Sequence, residues 1–447
     1  MAEVLLTHSN NLWSDRKQVG KMQPYPPLQT ILAAAVLREN GIEAALYDPT
    51  LEPAGGALID AFEESLDRHR PRLVVVCEDD FNFLSKMCLT RNRELAFQMA
   101  EAARRRGIQT AAHGSDASDH VMEYRAAGFS AVLVGEVESA LVELAQGKPP
   151  TFSRARKVNA DLDALPLPAW DLVDIERYRR SWTAAHGYFS LNMAASRGCP
   201  YRCNWCAKPI YGQKYFSRSA RPVAAEMLHL KTAFSPDQIW FADDIFALSP
   251  RWTQEFANAV EKLGARVPFK MQSRCDLMTR NTVAALKRAG CAEVWMGCES
   301  GSQKILDAMD KGLRIEQIHE ARRNLREHGI RACFFLQFGY PGEGWSEIEA
   351  TIRMVRETRP DDIGISVSYP LPGTKFHRNV LTQIGPRSNW SDSADLAMVF
   401  RGAYPSEFYR ALADALHLEV RGGNNPAGAW ERVYRLERRA GMAEAVA

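Results

Sequence analysis

Between Phe189 and Tyr369 the sequence alternates short apolar runs, rich in β-branched and aromatic residues, with stretches of helical periodicity. This alternation is typical of βα units around a parallel sheet. Six runs predict strands: Phe189–Ser196, Gln238–Asp244, Phe269–Cys275, Glu293–Ser300, Ala332–Tyr340 and Asp362–Tyr369. Five predict helices: Pro222–Ala233, Arg251–Leu263, Thr279–Ala289, Ile315–His328 and Trp345–Thr358. Six units predict a partial (β/α)6 barrel of the TIM type, whose chemistry lies at the carboxyl ends of the strands.

Three cysteines follow the first predicted strand at the spacing CxxxCxxC. Cys199, Cys203 and Cys206 lie in the run Arg197-Gly-Cys-Pro-Tyr-Arg-Cys-Asn-Trp-Cys206. Three thiolates on one loop can ligate three irons of a [4Fe–4S] cluster and leave the fourth iron open to a cofactor. A structural zinc is the alternative, but it needs four ligands, and the other six cysteines form no CxxC pair.

The cysteine spacing, with Trp205 before the last thiol, resembles the signature of the radical S-adenosylmethionine (radical SAM) superfamily. The resemblance implies that the open iron chelates SAM, and that reduction releases a 5′-deoxyadenosyl radical that takes hydrogen from a substrate. It also implies an electron donor such as flavodoxin or ferredoxin.

Polar and glycine residues at the predicted strand ends match positions near SAM in this family. The residues that the resemblance assigns to the cofactor are Trp205, Asp243, Asp244, Arg274, Gly297, Glu299, Ser300, Gln337 and Gly339. Asp243 and Asp244 have a helix N-cap or a solvated turn as their alternative. Arg274 has pairing with an internal carboxylate as its alternative.

Residues 1–150 predict a separate doubly wound α/β module. Its strands are predicted at Val4–Thr7, Ala44–Tyr47, Leu73–Cys77, Thr110–Ala112 and Ala131–Val134, and its helices at Leu28–Asn40 and Leu95–Arg106. The module resembles the Rossmann-like cobalamin-binding domain that precedes many radical SAM enzymes, and Gly135-Glu-Val-Glu138 matches a Gly-Glu-x-Glu run of those relatives. The resemblance implies cobalamin near Gly135 and Glu136.

The histidines of this module are placed differently from those of other cobalamin-binding domains. The Asp-x-His-x-x-Gly run that supplies a cobalt ligand in methionine-synthase-like domains is absent, and His113-Gly-Ser-Asp116 stands where relatives carry Gly-Gly-Pro-His. His8, just past the first strand, could face a corrin or substrate, although a lone loop histidine is more often solvated. A degenerate domain that only scaffolds the barrel is the alternative.

The remaining boundaries follow proline content and periodicity. Pro149-Pro150 and Leu165-Pro-Leu-Pro-Ala-Trp-Asp171 indicate an extended linker over 151–188, ahead of the barrel at 189–375. Residues 376–447 predict a small helical domain, with amphipathic helices at Glu407–Glu419 and Ala429–Ala440.

Charge and cysteine content limit the functional classes. A net charge of +2 produces no strong positive electrostatic field that would attract nucleic acid. We find no apolar run of membrane-spanning length and no basic start of a signal peptide, and nine cysteines without a regular framework suit a reducing compartment. These features predict a cytoplasmic protein without a membrane or nucleic-acid partner.

Three functions follow from the resemblance. The first is a cobalamin-dependent C-methyltransferase acting on an unactivated carbon of a small molecule. The second keeps the radical chemistry but ends in cyclisation, oxidation or rearrangement, as in the anaerobic porphyrin cyclase branch, with or without cobalamin. The third is a non-catalytic SAM- or cobalamin-binding protein.

Overall fold

The computed structural model describes residues 2–148, 161–206, 210–385 and 389–444, with side chains to residue 440. The chain divides into two compact units. The first comprises Met1–Pro200, Ala207–Asp244 and Asn389–Asp395, and the second comprises Tyr201–Cys206, Ile245–Ser388 and Leu396–Ala447. Pro149, Pro150 and the first ten residues of the predicted linker lie outside the described residues. The predicted domain boundaries therefore remain predictions.

A five-stranded parallel sheet forms the N-terminal part of the first unit. Its strands are β1 (Val4–Thr7), β2 (Ala44–Leu46), β3 (Leu73–Cys77), β4 (Gln109–His113) and β5 (Ala131–Leu133). The order β2-β1-β3-β4-β5 reverses between β1 and β3, as in a doubly wound fold. Successive residues of β1 enter different cores: Val4 and Leu6 pack on one face of the sheet and Leu5 on the other. Burial on both faces explains why these strands read as continuous apolar runs.

Ten helices belong to the described part of the first unit. They are α1 (Arg16–Lys21), α2 (Leu28–Glu39), α3 (Gly56–His69), α4 (Phe83–Lys86), α5 (Thr90–Arg105), α6 (Ser115–Asp119), α7 (Val121–Ala126), α8 (Glu138–Ala145), α9 (Ile175–His186) and α10 (Ala220–Phe234). Short 3-10 turns occupy Leu12–Ser14, Leu162–Ala164 and Trp170–Leu172. Sequence periodicity did not identify α3, although Leu58, Phe62 and Leu66 recur at helical spacing and are buried.

Four further strands complete the first unit: β6 (Ser190–Met193), β7 (Ser196–Gly198), β8 (Tyr215–Ser217) and β9 (Gln238–Phe241). β6 pairs with β9 in parallel, and β7 pairs with β8 as an antiparallel ribbon. The prediction of one strand over Phe189–Ser196 is wrong, because the strand is interrupted after Met193. The amide of Ala195 donates to Asp243, and its carbonyl accepts from the amide of Arg218, so the chain leaves the parallel ladder there.

The second unit contains four parallel strands with helices between them. The strands are β10 (Phe269–Ser273), β11 (Cys291–Glu299), β12 (Arg331–Phe338) and β13 (Asp362–Val367), paired in that order. The helices are α11 (Pro250–Leu263), α12 (Arg280–Ala289), α13 (Gln303–Ala308), α14 (Ile315–Glu327), α15 (Trp345–Thr358), α16 (Lys375–Val380), α17 (Ser406–Arg421) and α18 (Pro426–Glu444). Short 3-10 turns occupy Cys275–Leu277 and Leu381–Gln383.

Local sequence explains where these helices begin and end. The Ser249 hydroxyl caps α11, Pro250 occupies its first turn, and Gly264 ends it in the left-handed conformation. At the C-terminal end, α17 lies against β13, where Arg421 pairs with Asp362 at 2.9 Å. The two C-terminal helices are confirmed. Among the described residues no helix is both long and apolar enough to cross a membrane.

Candidate cofactor site

Exposure separates the nine cysteines into two groups. All nine lie in the described part of the chain and none forms a disulfide. Cys199, Cys203 and Cys206 are half-exposed, whereas the other six are buried. Burial raises the pKa of most of the buried thiols, which makes them poor metal ligands: Cys77, Cys88, Cys291, Cys298 and Cys333. Only the motif cysteines are therefore open to a cluster.

Ligation of a cluster by these thiols remains a prediction from their spacing. Among the described residues, no three His, Cys, Asp or Glu side chains already converge as a metal site. The three half-exposed thiols nevertheless match the donor set that a three-coordinate [4Fe–4S] cluster requires.

Gly198 fixes the chain directly before the first motif cysteine. It ends β7 with φ +77°, and a Cβ at this position would lie 2.1 Å from the carbonyl oxygen of Lys214. No other residue could occupy this position without separating the two strands of the β7–β8 ribbon.

Asn204 holds the loop between the second and third motif cysteines within the second unit. Its amide nitrogen donates to the carbonyl of Ala308 at 2.7 Å and to Asp310 at 3.1 Å. Its amide oxygen accepts from the Tyr340 hydroxyl at 2.9 Å. Its backbone also bonds to Met309 and Phe376. The middle of the loop is thus fixed independently of any cluster.

Arg274, at the end of β10, places a positive charge beside Cys203. Its guanidinium Nη1 lies 3.9 Å from the Cys203 sulfur, and the group stacks over Tyr201 at 3.8 Å from the ring centre. Asp276 holds it with a bond of 2.9 Å, so the predicted alternative of carboxylate pairing is also observed. The guanidinium thus places a fixed positive charge next to a prospective iron ligand.

A buried ion pair lies at the end of β11. Lys311 Nζ and Glu299 Oε1 are 2.7 Å apart, and both side chains are almost fully buried. Burial lowers the pKa of Lys311, but the Glu299 carboxylate outweighs this and raises the pKa above its ordinary value. Gly297 makes room for the pair, because a Cβ there would lie 2.6 Å from Glu299 and 2.7 Å from Lys311.

Trp205 lies beside this pair. Lys311 Nζ is 6.0 Å from the Trp205 ring centre. The indole N–H is buried and has no acceptor among the described residues. It is therefore a donor that a bound cofactor could satisfy.

Three other predicted residues bond to the protein itself. Ser300 is fully buried and its hydroxyl lies 3.2 Å from that of Thr351. The Gln337 amide donates to Ser368 at 3.0 Å. Gly339 has φ +77°, and its amide donates to Glu343. These contacts shape the strand ends, and direct binding of SAM by these residues remains a prediction.

Glu343 is buried next to this turn, and burial raises its pKa from 4.5 to about 8, against a hydrogen bond from Gly339. Between pH 4.5 and 8 this carboxyl group is mostly ionised in the unfolded chain but mostly protonated in the folded chain. Stability therefore falls as pH rises through this window, by at most about 5 kcal/mol. We expect Glu343→Gln to unfold at higher denaturant concentration than the wild type at pH 8.5 and to show no such gain at pH 4.5.

Glu347, in the first turn of α15, provides a control of opposite sign. Bonds from the Gly344 amide and from Lys304 lower its pKa to about 2. Glu347→Gln should therefore lose stability at neutral pH, and the loss should disappear as pH falls through about 4 to 2. Equal pH profiles for the two variants would contradict this assignment of charge.

Asp243 and Asp244 differ in their surroundings within the first unit. Asp243 is fully buried and accepts bonds from the Ala195 amide and the Ser196 hydroxyl. Burial raises its pKa to about 7, although these bonds lower it. Asp244 pairs with Lys86. Neither residue caps a helix, since α11 begins after Ser249.

Protein side chains occupy the carboxyl edge of the N-terminal sheet where its strand order reverses. Glu78, after β3, accepts from the Ser9 amide at 2.9 Å and from its hydroxyl. His8 is buried and lies 3.1 Å from Asp48, so the expectation of a solvated histidine is wrong. Burial lowers the pKa of His8, but the bond to Asp48 outweighs this and raises it.

His113 is engaged in the same way. Its Nε2 lies 2.9 Å from the carbonyl of Gly135, and its Nδ1 lies 3.5 Å from Asp80. Neither His8 nor His113 presents a ring nitrogen to a cobalt ion. Asp80 is fully buried, and apart from the 3.5 Å approach of His113 its two carboxyl oxygens have no hydrogen-bond donor among the described residues. Such acceptors suit a ligand that carries amide donors, as cobalamin does.

Sequence reasoning missed Asn204 and Lys311. Asn204 lies inside the cysteine motif, so its position was a usable signal. Lys311 carries no signal of its own, because its contact with Glu299 depends on the missing side chain of Gly297 and on the irregular end of β11.

Comparison with known proteins identifies the middle part of the chain. Residues 193–355 match the family model described as the radical SAM superfamily. The chain contains a radical SAM domain. This family uses a [4Fe–4S] cluster and SAM.

Curated relatives of this chain include methyltransferases and a cyclase. An uncharacterized methyltransferase of Pyrococcus horikoshii is 27% identical over 49% of this chain and 47% of its own length. The bacteriochlorophyllide d C-12(1)-methyltransferase of Chlorobaculum tepidum is 26% identical over 57% and 56%. The anaerobic magnesium-protoporphyrin IX monomethyl ester cyclase of Synechocystis is 26% identical over 38% and 34%. The chain thus spans about half the length of the first two relatives.

A solved structure resembles the chain more extensively. The radical SAM methyltransferase TsrM of Kitasatospora setae, solved with cobalamin and a [4Fe–4S] cluster, gives a TM-score of 0.68. The match covers 85% of this chain and 78% of TsrM at 20% identity. At that identity the likeness concerns the fold.

Proposed function

We propose that this protein is a cobalamin-dependent radical SAM enzyme that methylates an unactivated carbon of a small molecule. The observation that carries the proposal is the CxxxCxxC run, whose three thiols alone among nine are half-exposed, inside a radical SAM domain. The methyltransferase relatives and the fold likeness to a cobalamin-bound methyltransferase support the choice of reaction.

Cys199, Cys203 and Cys206 would hold the cluster, and the buried carboxyl of Asp80 would accept bonds from cobalamin amides. When bound, the cluster and SAM supply a hydrogen-abstracting radical, and cobalamin supplies the methyl donor. Because His8 and His113 are engaged by protein partners, we propose that cobalamin binds without a ligand from either of these two histidines.

The residues around Cys203 would set the charge of the site. Arg274 places a positive charge beside the Cys203 sulfur, and Lys311 holds Glu299 in place as an acceptor for polar hydrogens of SAM. The indole N–H of Trp205 offers a donor to the same cofactor. These groups are held by protein bonds before a ligand arrives, so little reorganisation is needed during reaction.

An open cleft of about 440 Å³ lies in the second unit beside the turn that follows β12. Gly342, Lys304 and Arg401 are among its lining residues. Its volume falls in the range of small-molecule sites, which supports a small-molecule ligand there. An external electron donor such as flavodoxin or ferredoxin is part of the proposal.

The test needs no knowledge of the substrate. Anaerobically reconstituted protein is mixed with hydroxocobalamin, a low-potential reductant and SAM, and methylcobalamin and S-adenosylhomocysteine are quantified by chromatography. We expect equal amounts of the two products, in excess of a control without protein. Formation of 5′-deoxyadenosine without either product would overturn the methyl-transfer part of the proposal.

A second candidate is a radical cyclase or oxidase. The Synechocystis cyclase relative and the Trp390-x-Asp392 and Gly402-x-Tyr404 runs, which resemble that branch, support it. Mass spectrometry of extracts incubated with the enzyme and SAM separates the two reactions. Methyl transfer adds one methylene to a metabolite, whereas cyclisation or oxidation removes hydrogen.

A further inference from the structure

Arg197 links the acidic run Gly135–Glu138 to the start of the cysteine motif. Its guanidinium lies 2.6 Å from Glu138 and 3.3 Å from Glu136. Arg197 is the central residue of β7, where it pairs with Phe216, and only Gly198 separates it from Cys199. The contact therefore joins two parts of the first unit that are some 60 residues apart in sequence.

The guanidinium is enclosed on every described side. The side chains of Arg197, Glu136 and Glu138 are only 3%, 4% and 8% exposed. Gln29 bridges the pair, since its amide donates to Glu138 at 3.1 Å and its oxygen accepts from Arg197 at 3.4 Å. The rings of Phe81 and Tyr211 lie 5.8 and 5.4 Å from the guanidinium carbon.

Burial of this kind fixes orientation. This arginine is hydrogen-bonded to Glu138 and its Nη1 lies 3.3 Å from Glu136, so turning the side chain away would leave buried charges unpaired. Burial raises the pKa of Glu138, but the charge of Arg197 outweighs this and lowers it, so the pair is ionised.

We propose that Glu136 and Glu138 are positioning residues for the iron–sulfur cluster, which act by holding Arg197 and hence the backbone that presents Cys199. The Gly-Glu-x-Glu run then serves the cluster, whichever ligand the N-terminal module binds. The inference rests on the proposed function only in requiring that Cys199 ligates a cluster.

The first test is Glu138→Gln, which preserves shape and removes the charge. We expect iron and sulfide per chain after anaerobic reconstitution to fall roughly 10-fold, in line with other changes to groups that orient metal ligands. The matched control is Asp116→Asn, which breaks a buried arginine pair of the same kind in the same unit, Arg93 with Asp116 at 2.6 Å. The control should keep full iron content. Equal iron content in Glu138→Gln and the wild type would overturn the proposal.

A second variant separates positioning from folding. Arg197→Met with Glu138→Leu and Glu136→Gln removes all three charges together and should recover most of the melting temperature that Glu138→Gln loses. If the pair positions Cys199, iron content stays low, and the electron paramagnetic resonance signal of the reduced cluster differs from that of the wild type. Wild-type iron content with a wild-type signal would overturn the proposal.

These readouts are independent of methyl transfer. Iron content and the cluster signal can differ between variants even if no methylcobalamin forms. Failure of the proposed reaction is thus distinguishable from failure of this inference.

Discussion

Replacing Cys203 by serine is expected to abolish cluster assembly and SAM cleavage. Loss of one of three ligands should lower 5′-deoxyadenosine formation by more than about 100-fold. Even the loss of a group that only hydrogen-bonds to a metal ligand lowers metal affinity or activity by about 10- to 100-fold. Iron content and the brown absorbance of the reconstituted protein measure the first effect, and chromatography of the nucleoside measures the second. The same result is expected for Cys199 and Cys206.

Cys333→Ala is the matched control. Cys333 is fully buried in β12 and lies outside the cysteine motif. Its loss should cost about 1 kcal/mol of folding stability through the cavity that it leaves, with iron content unchanged. A Cys203→Ser protein that still carries a full cluster would show that the motif is not the ligand set.

Replacing Lys311 by methionine is expected to destabilise the second unit strongly. The change leaves the Glu299 carboxylate buried without its partner, and breaking a buried pair in this way costs about 3–5 kcal/mol. Urea denaturation of the protein measures the loss. SAM binding, followed by the cluster signal with and without SAM, should weaken as well, because Glu299 then loses the hydrogen bond that holds it in place.

Two comparisons make this prediction specific. Lys304→Met removes an exposed lysine that pairs with Glu347 at 3.0 Å, and it should cost no more than about 1 kcal/mol. Lys311→Met combined with Glu299→Leu should regain much of the stability, because no charge is left unpaired. Equal losses in Lys311→Met and Lys304→Met would show that the buried pair does not stabilise the fold.

Most strands and most of the longer helices were predictable because their apolar periodicity is local, whereas the short helices were not predicted. β1 and β3 were predicted with their observed limits, as was α15. The break between β6 and β7 was not, since it depends on Asp243, which lies 48 residues beyond Ala195 in sequence. A pattern of apolar residues contains no information about which side chain will bond to a strand's backbone.

The candidate site shows the same division. The cysteine spacing indicated the cluster, and residues at strand ends were expected near the cofactor. The partners of those residues were not foreseeable: Lys311 reaches Glu299 only because Gly297 has no side chain. Similarly, nothing in the sequence indicated that Glu136 lies 3.3 Å from Arg197, and its role at cobalamin stays a prediction.

The uneven burial of the cysteines bears on how this protein would tolerate air. Oxygen damages thiols that are ionised and accessible, so the buried six should survive exposure that strips the cluster and oxidises the other three. Early oxidation of a thiol is reversible, whereas sulfinic and sulfonic acids are not. Brief aerobic inactivation should therefore be repairable by thiol reduction and fresh iron and sulfide, and prolonged exposure should leave irreversible adducts on three residues of one short loop.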